Sequence, residues 1–119
     1  MYDGTLIVES LKVGTELEGV PFTVRKVGRY DVGNASTDQP KVWSVVEFEV
    51  ERGEELAGLL SQVLDSPGWY ADLHDDRETF VVFPRRVFRY PRGDEAARAE
   101  AQEFGRGLAI PEPQLDWTR

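Results

Sequence analysis

The chain has 119 residues, 40% of them hydrophobic and 30% charged, with a formal net charge of −8 and no cysteine. That length suits one domain covering 1–119, which should bury roughly two thirds of the surface its unfolded chain exposes and so build a core without staples. The absence of cysteine excludes disulfides, thiolate metal sites and cysteine nucleophiles. The acidic balance argues against a general nucleic-acid binder, whose affinity for a phosphate backbone needs a net basic face.

The opening MYDGTLIVESLKVG has Asp3 and one brief apolar run, Leu6 to Val8, and lacks the basic start and long apolar stretch of a signal peptide. No segment approaches the length that spans a bilayer. A cytoplasmic protein with no membrane partner is the expectation.

Taken in order, Thr5 to Glu9 predicts a short strand, and Val20 to Val27 alternates, with Val20, Phe22 and Val24 on one side and Thr23 and Arg25 on the other. Val42 to Glu51 alternates as well, with Val46, Phe48 and Val50 opposite Glu47, Glu49 and Glu51. Between these two runs, DVGNASTDQPK at 31–41 is loop chemistry, which predicts a hairpin with a long connection. After Gly53, Glu54 and Glu55 suit the positive end of a helix dipole. Leu56, Leu59, Leu60, Val63 and Leu64 then recur at helical spacing until Ser66-Pro67-Gly68 stops the helix.

From Trp69 to Asp94 three β-type runs are separated by two tight turns. A two-residue turn at Asp76-Arg77 sets Leu73 opposite Phe80 and Ala71 opposite Val82, so that Trp69, Ala71, Leu73, Phe80 and Val82 share one face. A second turn at Pro84-Arg85 or Arg85-Arg86 adds Val87 to it. The other face receives Tyr70, Asp72, His74, Val81, Phe83, Arg86, Phe88 and Tyr90. Asp94 then caps a second helix with Ala97, Ala101, Phe104 and Leu108 on its apolar stripe, bounded by Gly107 and Pro111. Leu115 and Trp117 are placed to anchor the tail. Together these elements predict an α+β fold: a mainly antiparallel sheet of about five or six strands with two helices. FEVERGEELA and FRYPRGDEAA echo each other before the two helices, which allows a degenerate βββα repeat or mere punctuation common to strand–helix junctions.

Both faces of the meander are apolar, whereas an antiparallel sheet with one wet face alternates cleanly. Something must cover the side carrying Tyr70, Phe83, Phe88 and Tyr90: the chain's own helix or tail, a second copy, or a ligand. His74 with Asp72, Asp75 and Asp76 is the cluster able to move a proton, set against its other reading as a solvated turn. Arg85, Arg86, Arg89 and Arg92 run without an acid among them, and they suit a small anion or a charged edge that deters aggregation. No phosphate loop, dinucleotide fingerprint, nucleophile elbow or zinc-ligand spacing occurs, so neither a cofactor nor a metal is expected and no catalytic residue is assigned.

WYADLHDD, then ETFVVFPRRVFRYPRGD, a helix and IPEPQLDW, from Trp69 to Trp117, resemble a family of small bacterial proteins of uncharacterised function. The resemblance implies a soluble bacterial protein and carries over no functional residue. The expectation is a non-enzymatic cytoplasmic binding module, self-associating or holding another protein through Tyr70, Asp72, His74, Phe83, Arg86, Phe88 and Tyr90. Two alternatives accompany it. One is an acidic, immunity-like inhibitor that masks a basic partner with the Glu47, Glu49, Glu51 row. The other is a small enzyme in which Asp72 orients His74 and an arginine holds an anionic substrate.

Overall fold

The computed structural model describes residues 1–117. Strand β1 (Tyr2–Ile7) leads through a short turn and an irregular segment into the hairpin of β2 (Thr23–Asp31) and β3 (Val42–Val50). Helix α1 (Gly53–Val63) follows, then the meander β4 (Ala71–His74), β5 (Glu78–Phe83) and β6 (Arg86–Pro91), helix α2 (Glu95–Gly107) and a tail with a single 3-10 turn at Glu112–Gln114. All six strands form one antiparallel sheet in the order β2-β3-β1-β4-β5-β6. This is the expected α+β class. No helix of the described residues is long and apolar enough to cross a membrane.

The element order βββα occurs twice, yet the two halves are wired differently. β3, which feeds α1, is internal between β2 and β1, whereas β6, which feeds α2, is an edge strand. The halves therefore share an order of elements without sharing a pairing scheme.

The meander has the predicted register. Ala71 faces Val82, Leu73 faces Phe80 and Val82 faces Val87. The second turn is Pro84-Arg85, where Arg85 takes a positive φ of 65°, and the Arg85 N–H bonds back to the Ser61 carbonyl at 2.8 Å. Trp69 departs from expectation. It lies before β4 and packs on Trp43, with ring centroids 5.4 Å apart, instead of joining the Ala71 face. β2 also begins later than the alternation implied. Gly19 turns the chain at φ 89° and Pro21 has no N–H to give a ladder, so Val20 and Phe22 tuck against the core and the Phe22 ring meets Phe48 at 5.2 Å.

The sheet is covered unequally on its two faces. On the first, Leu6, Phe48, Val50, Ala71, Leu73, Phe80 and Val82 pack against Leu56, Ala57, Leu60 and Leu64 of α1, with Leu11, Leu17, Val20 and Phe22 extending the cover towards β3. Gly4 makes room for the Phe48 ring; a Cβ there would stand 2.5 Å from Phe48 Cζ. On the second face, Val81, Phe83 and Tyr90 pack under Ala101 of α2 and under Ile110, Leu115 and Trp117 of the tail. Asp94 caps α2 by accepting from the Ala97 N–H at 3.0 Å, a bond that satisfies one of the orphan donors of the first turn. α2 and the tail cover β5 and β6, whereas towards β3 and β2 this face keeps exposed side chains, among them Lys26, Tyr30 and Glu47.

Candidate functional site

The aromatic face singled out in the meander is not a free surface. Phe83 has no exposure and Tyr90 only 5%, and Phe88 is half-buried against Phe83 and Phe104, with centroids at 5.8 and 5.4 Å. The polar ends of this cluster are also engaged. Trp117 Nε1 donates to the Tyr90 hydroxyl at 2.7 Å, and the Tyr70 hydroxyl donates to the Gln114 carbonyl. Arg98 and Gln102 of α2 donate to the carbonyls of Trp117 and Leu115 at 2.7 and 2.9 Å. Of the seven residues proposed to meet a partner, Phe83, Phe88 and Tyr90 are therefore corrected to interior packing. Water was indeed not their neighbour, and the chain's own helix and tail supply the cover. Arg86 remains exposed, with its guanidinium 4.4 Å from the Phe88 ring centre.

His74 and Asp72 project from β4 on the same side but open into different depressions. His74 lies in a polar hollow of about 290 Å³ with Asp3, Asp75, Asp76, Arg77 and Arg92. Its Nδ1 is buried without a hydrogen-bond partner, so Asp72 does not orient it. Burial, followed by the charge of Arg92, holds the imidazole below its usual range. The arginines do not converge either. Arg89 reaches Glu78 and Glu54 at 2.8 and 3.1 Å and covers the Phe80 ring on the first face, opposite Arg86. Arg86 and Arg89 thus lie on opposite faces of the sheet. Among the described residues no group of three metal-ligating side chains converges.

The site that tertiary structure does assemble lies where the covered and open halves of the second face meet. Thr5 stands directly opposite Asp72 across the β1–β4 ladder. With Ile7 and Trp43 these residues floor a cleft of about 260 Å³, walled by Asn34, Trp69, Tyr70, Pro113, Gln114 and Asp116. The wall is tied by an amide pair: Gln39 Nε2 donates to Gln114 Oε1 at 3.1 Å, and Gln114 Nε2 returns a bond to Gln39 Oε1 at 2.9 Å. Gln39 also donates to the Gly68 carbonyl and Gln114 to the Asn34 carbonyl, both at 2.8 Å. Loop 32–41, the entry to β4 and the tail are thereby held as one rim. Gln39→Ala should cost about 1–3 kcal/mol in urea unfolding, because it strands a buried amide; a loss below about 0.5 kcal/mol would show that the rim is not held by this pair.

No protein-family model, curated protein or solved structure matches the chain. Its site is defined by its own chemistry.

That chemistry centres on Asp72. Its carboxyl keeps some surface open to the cleft, but protein encloses it so closely that burial raises its pKa to about 7, with the nearby Asp116 charge adding to the rise. It accepts no hydrogen bond from any described residue. Burial likewise pushes the Tyr70 phenol up, assisted by the charges of Asp72 and Asp116. An unpaired acid beside a second acid, flanked by indole and phenol rings, favours a positively charged visitor. Only Tyr70 and Asp72 of this site were singled out from the sequence. Thr5, Ile7, Asn34, Trp43, Trp69, Gln114 and Asp116 come from five separate stretches, and no local pattern connects them.

Outward from the cleft the open half-face runs over β3 and β2. It carries Val45, Glu47 and Glu49 next to Lys26 and Tyr30, with Tyr30 45% exposed. Tyr30 lies along its own strand over Gly28, where a Cβ would come within 2.3 Å of the phenol oxygen. Glu49 meets Arg25 at 2.6 Å and Glu47 meets Lys26 at 3.7 Å. Two of the three positions of the glutamate row are thus paired with cations of the adjacent strand, whereas Asp72 in the cleft has no such pair.

Proposed function

We propose that this chain is a non-enzymatic, cytoplasmic binding module that docks a basic partner protein on the open half of its second sheet face, with the cleft around Asp72 as the anchor point. The observation that carries this is the unpaired Asp72 carboxyl at the floor of a cleft in a molecule of net charge −8. An uncompensated carboxyl is costly to keep in a fold, and a cation from outside offsets that cost. A second copy of the chain is a poorer occupant, because it brings the same acidic charge. The observation against an enzymatic role for His74 is that no described residue hydrogen-bonds its Nδ1 to orient the imidazole.

Two extended peptides of equal length, one alternating lysine with glycine and one alternating glutamate with glycine, test the proposal by NMR. The lysine peptide is expected to shift the amides of Thr5, Ile7, Trp43 and Asp72, with affinity falling as salt is raised, while the glutamate peptide leaves them unmoved. Shifts confined to other surfaces, or binding indifferent to salt, would overturn it.

A further inference from the structure

From the cleft's geometry we infer that it is a receptor for a single organic cation, an ammonium or guanidinium on an apolar stem, whose charged head pairs with the Asp72 carboxyl. The proposal rests on the docking function above and specifies its ligand class and its regulation.

The lining fits such a ligand at both ends. Ile7, Trp43 and Trp69 offer apolar and aromatic surface for a stem, while Asp72 and Asp116 stand with Thr5, Asn34 and Gln114 among the groups that would meet a charged head. Lysine and arginine side chains have this form, burying the stem and keeping the head on a polar partner. Aromatic faces next to the carboxyls add attraction for the cation.

The proton balance follows from what surrounds Asp72. Asp116 faces it from the tail, and Tyr70 lies two residues earlier, just before β4; the field of Asp72 also reaches Tyr90 on β6. Arg98 on α2 is a cation of this neighbourhood; it donates through one terminal nitrogen to the Trp117 carbonyl, with its guanidinium 5.7 Å from the Trp117 ring, while its Nε is buried without a hydrogen-bond partner. Among the described residues no base or cation pairs with Asp72, and burial with the Asp116 charge favours its protonated form as pH falls below about 7. When an ammonium arrives, the carboxyl O–H bond breaks, the proton leaves to solvent, and the carboxylate formed pairs with the ligand. The positive charge in the cleft is exchanged and not added. Below the Asp72 midpoint the ligand must compete with the proton, and above it the site is already ionised.

Nα-acetyl-lysine methylamide is the probe, with Nα-acetyl-norleucine methylamide as its uncharged counterpart, titrated into the full chain between pH 5 and pH 8.5 while the Asp72 carboxyl ¹³C shift is followed. The lysine compound is expected to shift the cleft residues, to bind about tenfold more tightly for each pH unit up to about 7 and to level off above, and to release close to one proton per molecule bound at pH 6. The norleucine compound is expected to bind at least tenfold more weakly at pH 8. Asp72→Asn should weaken the lysine compound at least tenfold at pH 8 and abolish the pH slope. Asp116→Asn should lower the Asp72 midpoint and move the break in the slope to lower pH, a readout that survives even if affinity itself changes little.

Equal affinity at pH 5.5 and 8, or no proton release, would overturn the exchange while leaving the docking face intact. Equal binding of the norleucine compound would overturn the cation. If the small lysine compound leaves the cleft unmoved while the lysine peptide of the preceding test still perturbs the open half-face, the cleft is not the receptor. Failure of both lysine ligands removes the docking function together with this inference.

Discussion

Replacing Asp72 with asparagine is expected to stabilise the free protein by about 2–4 kcal/mol at pH 8 and to leave its stability nearly unchanged at pH 4. The unfolded chain ionises this group near its ordinary value of 3.8, whereas the folded chain holds the proton up to about 7. Below pH 4 the group is protonated in both states and contributes nothing. Between pH 4 and 7 the unfolded chain releases the proton and the folded chain does not, so the folded state loses ground with every unit; above 7 the full penalty is present. A gap of about three units at roughly 1.4 kcal/mol each sets a ceiling near 4 kcal/mol, and the amide's own burial takes back part of it. Urea melts of both proteins at pH 4 and pH 8 measure the difference directly, and subtraction removes the other carboxylates, several of which, such as Glu9 and Glu78, are held below their usual range. A destabilised Asp72→Asn variant at pH 8 would mean that the carboxylate is already paired. Stability surrendered at a cleft residue is the signature expected of a group kept for binding.

Phe83→Ala is expected to destabilise the fold by about 3–5 kcal/mol, a large share of the roughly 5–15 kcal/mol that holds a typical domain together. Phe83 is fully buried and is the ring on which Tyr70, Phe88, Phe104 and Trp117 converge, at centroid distances of 6.0, 5.8, 5.1 and 6.4 Å. Truncating it removes transfer energy, leaves a cavity and breaks two edge-on and two tilted ring contacts at once. Gly105 of α2 sits close against this cluster, since a Cβ there would be 2.8 Å from Leu115 and 3.3 Å from Phe83, and the helix has little room to collapse into the gap. The tail should loosen first. The Trp117 indole N–H, bonded to Tyr90 in the folded chain, is expected to exchange with solvent faster than the amides of β5. A cost below about 1 kcal/mol would mean that α2 and the tail do not cover this face in solution.

The legible part of the fold was the part built on local periods. Leu56, Leu60 and Leu64 at helical spacing marked α1, and alternation around two-residue turns set the register of β4, β5 and β6, because a period of two leaves no freedom once the turn length is known. The anchoring of the tail by Leu115 and Trp117 was legible too, since large apolar groups in a proline-broken segment have no other way to leave water. Trp69 was misplaced because it stands just outside β4, where the alternation of the strand no longer governs its direction.

The amino-acid sequence by itself determined that the meander carries apolar side chains on both sides and that something must shield the second one. Only the tertiary structure decided what does so. An aromatic stripe shows its partner the same chemistry whether that partner is a helix of the same chain or another molecule, and the choice depends on where α2 is delivered after β6. The cleft was out of reach for a related reason. Thr5, Trp43, Asp72 and Gln114 are brought together by β1 inserting between β3 and β4, a long-range pairing that no local spacing encodes, and the raised proton affinity of Asp72 comes from that enclosure and not from its neighbours in the chain.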